Sequence, residues 1–227
     1  MELGVAYLWL EDFHAAERHF LHAIKESRVR GDTFYGMAGA AKWCLDDPVA
    51  AVRYWRGGLD APYAVGGIGI SLPLLLWAAS ILRPGVFPAK EAARLLKAKA
   101  KDPRADSWPG PIAKFILGLS DEISLAAACF ERNAVQPGQK RIAEFYKGLL
   151  EFSRGAEDAT VLREIMRTTA DTSQSDWSKE EDFLDLMWSE EFFVARHEAS
   201  LNMSEWSLLL QGAAPSRHER TLRRPRQ

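Results

Sequence analysis

Between Glu2 and Leu59 the chain states one pattern twice. Leu3-Gly4-x-x-Tyr7, followed by Ala16-x-x-x-Phe20-x-x-Ala23, is answered by Gly39 and then by Ala51-x-x-x-Trp55-x-x-Gly58. The pairs Gly4/Gly39, Ala16/Ala51, Phe20/Trp55 and Ala23/Gly58 are each 35 residues apart. A fixed period of that length marks helix hairpins stacked side by side, each burying its apolar face against the next. Small residues such as Gly4 and Ala16 let two antiparallel helices approach closely, and the rings of Tyr7 and Phe20 fill the space beside them. The second unit rebuilds the set from Gly39, Ala51 and Trp55, with Lys42 in the place of Tyr7 and Ala38 in that of Leu3.

These spacings resemble those of the tetratricopeptide-repeat (TPR) family over about the first quarter of the chain. Neither unit carries the proline that usually closes such a repeat. The resemblance implies an all-α fold, a TPR-like right-handed α-α superhelix of helix hairpins with a C-terminal capping helix. It implies a scaffold rather than a chemistry. In that family the first helix of each hairpin lines a concave groove, which places Val5, Leu8 and Trp9 from the first unit on the wall, with Thr33, Gly36, Ala40, Trp43 and Cys44 from the second. Groove-exposed Trp9 and Trp43 would be anchors for a peptide or protein partner. The alternative is that both are covered by a neighbouring or C-terminal helix.

Along the chain, Glu2–Leu10 and Asp12 to about Val29 read as the first hairpin, with Asp12 placed to cap its second helix. Thr33–Leu45 and a helix opened by Asp46-Asp47-Pro48 and running to about Leu59 make the next, since carboxylates and proline both suit a first turn. From Ala61 to Leu82 there is no charged residue. Gly66, Gly67 and Gly69 break that stretch, leaving Leu72–Leu82 as a short helix apolar nearly all round, to be buried at the centre of an array rather than to span a bilayer. Gly66-Gly67-Ile68-Gly69 lacks the preceding strand and the lysine of a phosphate loop, so it reads as a turn. Pro88–Ala100 follows, its lysines at 97, 99 and 101 pointing several ways into solvent. Pro111–Leu119 pairs with Asp121–Arg132. After a turn at Gln136-Pro137-Gly138, Ile142–Ser153 pairs with Glu157–Ala170. The capping box Ser178-x-x-Glu181 opens a helix that continues through His197. Residues 1–200 thus form one helical-repeat domain, and 201–227 a short helix and an arginine-rich disordered tail.

Composition narrows the partner. A formal net charge of −2 argues against a nucleic-acid footprint or a polybasic membrane surface. Cys44 and Cys129, without a CxxC, indicate neither a disulfide framework nor a zinc knuckle. With no signal-peptide pattern at the N-terminus, the expectation is a cytoplasmic protein or a fragment of a longer one.

No nucleophile elbow, P-loop or dinucleotide fingerprint occurs, so no catalytic residue and no cofactor is assigned. His19 and His22 share a helix face but lack a carboxylate or cysteine to complete a metal set. Glu190, Glu191, Arg196 and His197 read as a charged helix face or a C-terminal salt-bridge set, and as an acid-base group only if they converge in a cleft. The expected function is a non-enzymatic protein-interaction scaffold. Two alternatives stand beside it: a bacterial immunity or antitoxin-type inhibitor, favoured by a deep acidic groove, and an RNA-binding helical repeat, for which only the arginine tail speaks.

Overall fold

The two tight turns of the repeated stretch are the same turn, set 35 residues apart. Glu11 and Asp46 both adopt a left-handed backbone conformation, with φ of 60° and 58°. Around them the hydrogen bonds correspond one for one. Asp12 N donates to Tyr7 O and Asp47 N to Lys42 O, while Glu11 N donates to Leu8 O and Asp46 N to Trp43 O. Asp12 Oδ1 then accepts from Ala15 N, and Asp47 Oδ1 from Ala50 N, capping the next helix. The period is therefore carried by the backbone as well as by the side chains.

A computed structural model describes residues 2–26, 31–61, 69–131, 134–135, 137–155, 158–171 and 190–201. Within them the chain is all-α, with eleven α-helices: α1 Glu2–Trp9, α2 Phe13–Glu26, α3 Gly31–Cys44, α4 Pro48–Gly57, α5 Ser71–Leu82, α6 Ala89–Lys99, α7 Gly110–Ile116, α8 Glu122–Ala128, α9 Pro137–Ser153, α10 Ala159–Ala170 and α11 Glu190–Ser200. A 3-10 turn at Pro103–Asp106 precedes α7. The only strands among the described residues are β1 Phe130–Glu131 and β2 Ala134–Val135, an antiparallel rung with Phe130 opposite Val135. The Gly66-Gly67-Ile68 turn, the capping box at Ser178 and Glu181, the helix expected from Ser178 to Ser189, the short helix expected after Leu201 and the arginine-rich tail lie outside the described residues.

Two helix boundaries differ from the sequence expectation by four residues or more. The helix expected to run to Arg132 ends at Ala128, where Cys129 N closes a tightened last turn on Ala126 O and the chain enters β1. Pro137 and Gly138, expected in a turn, instead open α9, because proline, lacking an N–H, is suited to a first helical turn.

Successive helices pack in sequence order from α1 to α6, α7 packs on α8 and α9, and α9 packs on α10. α11 then departs from order. It packs on α10 and α9 and also reaches back to α3. Two apolar clusters result. The larger gathers Trp43, Trp55, the leucines of α5, Leu96, Ile112, Tyr146, Leu149, Leu162 and Met166. The smaller gathers Val5, Leu8, Phe20, Phe34 and Met37 with Phe192 and Phe193 of α11. As its composition implies, α5 is buried nearly all round, with Leu72, Leu74, Leu75, Leu76 and Leu82 each at 1% exposure or less. At ~1.5–3 kcal/mol for each such side chain removed from water, α5 is a principal source of cohesion. No helix among the described residues is long and apolar enough to cross a membrane.

The small-to-large contacts of the repeat are realised in space. A Cβ at Gly4 would lie 2.8 Å from the Phe20 ring, and one at Gly39 would lie 2.1 Å from Trp55 Nε1. Trp55 is fixed in turn, its Nε1 donating to Gly36 O at 3.0 Å. Replacing Gly39 with valine should therefore cost ~2 kcal/mol or more through overpacking, despite the gain in helix propensity. Urea unfolding of Gly39→Val beside Gly57→Ala, whose Cβ would meet nothing closer than 3.4 Å, checks this: only the former should lower the midpoint.

Candidate functional site

Of the residues named from the repeat register, Val5, Leu8 and Ala40, with Trp9 and Cys44 packed on them, share one apolar cluster with Phe192 and Phe193 of α11, whereas Trp43 belongs to the larger cluster. Val5, Leu8, Gly36, Ala40 and Trp43 are buried, while Trp9, Thr33 and Cys44 are half-buried. Trp9 packs on Phe192 with ring centroids 4.9 Å apart and meets Phe193 edge-on at 5.5 Å. Cys44 Sγ donates to Phe193 O at 3.5 Å. A Cβ at Gly36 would stand 2.2 Å from Glu190 Oε1, so the glycine is what admits the carboxyl to the face.

Glu198 is the polar centre of the contact. It is fully buried and accepts from Trp43 Nε1 at 2.7 Å and from Arg83 Nη1 at 2.7 Å. The same Arg83 nitrogen donates to Leu82 O at 2.9 Å, and the guanidinium stacks over the Trp43 ring, 5.3 Å from its centroid. Trp43 also stacks on Trp55 at 5.5 Å. One carboxylate thus joins α3, the end of α5 and α11. Sequence reasoning missed both Arg83 and Glu198. An arginine directly after an uncharged stretch is the only local sign, and nothing local names a partner 115 positions away.

The N-terminus of α11 carries the opposite kind of contact. Glu190 and Glu191 are buried rather than solvated, which corrects the expectation of a charged surface face. Tyr146 Oη donates to Glu191 Oε1 at 2.8 Å. Burial, then the Glu191 and Asp32 charges, push the Glu190 carboxyl well above the ordinary carboxylate range, and burial beside Glu191 likewise pushes the Tyr146 hydroxyl up. Of the remaining members of the expected cluster, Arg196 pairs with Glu11, and His197 lies seven residues after Glu190, ~10 Å along the helix. His197 lines a different space, a cavity of about 220 Å³ shared with Glu11, Phe13, Cys44, Phe193, Arg196 and Ser200. Burial, helped by Arg83 and opposed by Glu198 and Asp46, lowers the His197 pKa. In the same cavity burial pushes the Cys44 thiol up to about 12, so it is not a thiolate nucleophile near neutral pH. On α2, His19 stacks on Tyr7 with centroids 5.1 Å apart, and no group of three metal-binding side chains occurs among the described residues.

A second concavity, about 1150 Å³, opens where α9, α10 and α11 meet, with Val161, Ile165 and Ala199 in its wall and Lys140 and Arg167 among its cations. Two arginines in it are anchored to backbone, Arg141 to Asp171 O at 2.5 Å and Arg163 to Leu201 O at 2.8 Å. Compared with family models, curated proteins and solved structures, the chain matches none.

The ion pair generates one prediction. Glu198→Leu should cost ~3–5 kcal/mol, because it leaves Arg83 buried and unpaired. The double variant Arg83→Met/Glu198→Gln keeps an acceptor for Trp43 and should recover most of that loss in urea unfolding. Glu190 generates another. A carboxyl whose folded-state pKa is raised contributes stability that is complete below its ordinary value of 4.5 and lost as pH rises through the folded-state value. Glu190→Gln should therefore leave stability nearly unchanged at pH 4 and raise it at pH 8, read as the difference in urea midpoint between the two chains.

Proposed function

We propose that this chain is a non-enzymatic interaction module, a TPR-like α-α superhelix that holds a protein partner on the concave face formed by α1 and α3. The observation that carries the reading is the one ligand that face has: a helix contributed from some 150 residues away in sequence, gripped by stacked aromatics and by hydrogen bonds to its backbone and side chains. Such a face is chemically suited to helix recognition, in which an amphipathic segment lays its apolar side into an aromatic-lined groove. The repeat geometry supports the superhelix: turns and small-large contacts recur with the 35-residue period, and further hairpins follow them. The buried acidic groups Asp32, Glu190, Glu191 and Glu198 are turned inward, against helices of the same chain, and so lend no acidic outer surface to an inhibitor of basic enzymes.

Photo-crosslinking tests the reading. With p-benzoylphenylalanine in place of Trp9, irradiation in a native lysate should attach the chain to a discrete external protein, whereas the same probe at exposed Arg53 on α4 should not. Attachment at position 9 to peptides of α11 alone would show the face to be internal packing, and the reading would fall.

A further inference from the structure

The cavity at the junction of the repeat with α11 has one polar group that nothing answers. Its polar side chains can be accounted for one by one. Arg196 donates to Glu11 Oε1, Cys44 Sγ to Phe193 O at 3.5 Å, and Ser200 Oγ to His197 O at 2.6 Å. His197 is the exception: its Nε2 is buried and has no hydrogen-bond partner among the described residues. A buried ring nitrogen in that state carries a desolvation cost that one hydrogen bond recovers. The terminal torsion of a histidine is soft, so a modest turn of the ring presents Nε2 to an occupant of the cavity.

Size and charge narrow the occupant. At about 220 Å³ the cavity exceeds the ~150 Å³ that accommodates benzene in an engineered protein core, so one substituted ring fits. The charged side chains that line it, Arg196 and Glu11, are paired with each other, and an ionic ligand would lose its hydration without meeting a free opposite charge there. Burial lowers the His197 pKa, so the imidazole too is neutral near neutral pH. Phe13 and Phe193 supply apolar residues for a ring to pack on. Nε2 of a neutral imidazole accepts in one tautomer and donates in the other, and a hydroxyl serves both.

We propose that this cavity is a binding site for a small neutral aromatic alcohol, one ring bearing one hydroxyl, packed against Phe13 and Phe193 with the hydroxyl bonded to His197 Nε2. The site is independent of the function proposed above. Its occupant touches the α1–α2 turn, the end of α3 and α11 together, so binding stabilises the arrangement in which α11 covers the repeat, by mass action.

Fluorine NMR titration of the full chain tests the assignment, with para-fluorophenol, fluorobenzene and para-fluorobenzoate as probes. The phenol should bind about ten-fold tighter than fluorobenzene, the worth of one hydrogen bond to a group otherwise left unpaired, and the benzoate should bind weakest. The phenol should also slow alkylation of Cys44 by N-ethylmaleimide and leave that of Cys129 unchanged, read by peptide mass spectrometry. His197→Phe should reduce the affinity for the phenol to that for fluorobenzene, and His197→Gln, which keeps a donor and an acceptor, should restore part of it. Should His197→Phe not fold, the ranking of the probes and the protection of Cys44 in the intact chain decide the question. Equal affinity for the phenol and fluorobenzene, tightest binding of the benzoate, an unprotected Cys44, or full phenol affinity in folded His197→Phe would each overturn the proposal. Binding of none of the probes would overturn it as well, leaving a cleft that takes only water.

Discussion

The carboxylate of Glu198 is the interaction on which the shape of the molecule depends. Stacked hairpins have no intrinsic reason to stop or to close, because each unit is satisfied by its immediate neighbour. Closure needs a contact that is long in sequence and strong enough to outweigh the chain entropy of forming it. Arg83, at the end of the most thoroughly buried helix, is placed there with its donors aimed inward, and Trp43 adds an indole N–H on the same spot. A buried ion pair is a weak source of net stability but a strong source of specificity, since any other docking of α11 would strand a charge away from water. That selectivity fixes α11 in register on α3. With it fixed, Phe192 and Phe193 complete the smaller core, while Val194 and Ala195 complete the larger one.

What the sequence made legible follows the reach of each interaction. Hairpins are local, so the alternation of Gly4 with Phe20 and of Gly39 with Trp55 could be read directly, as could the capping aspartates at positions 12 and 47. The apolar helix ending at Leu82 was legible for the same reason: a segment without charge has nowhere to go but inside. That Val5, Leu8 and Ala40 share one face, with Trp9 and Cys44 packed on it, follows from helical period together with the 35-residue repeat. The cover on that face does not. Trp43 and Glu198 are 155 positions apart, and no periodicity connects them.

Glu190 and Glu191 show why composition misleads at such a point. Adjacent carboxylates next to an arginine and a histidine look solvated, because ionised side chains stay in water unless something inside receives them. Here Gly36 makes the space for Glu190, Tyr146 supplies a donor to Glu191, and burial pushes the Glu190 carboxyl well above the ordinary carboxylate range. Each of those conditions lies on a different helix. Pro137 and Gly138 depart from the expected turn for the opposite reason: proline and glycine suit both a turn and a helix start, and the apolar side of α9, with Tyr146, Leu149 and Leu150, decides in favour of the helix.

The return of α11 to α3 also sets an order in time. A ribosome completes the first two hairpins at Leu59, and 139 further residues must be added before Glu198 exists. At ~5–20 residues per second this is an interval of roughly seven to thirty seconds. The early hairpins rest on local contacts that form in far less time than that. Throughout the interval Trp9 lacks Phe192 and Phe193, and the Trp43 indole N–H lacks Glu198. The chain is therefore at its most adhesive during its own synthesis, for a period fixed by the distance along the chain between the tryptophans and the helix that covers them.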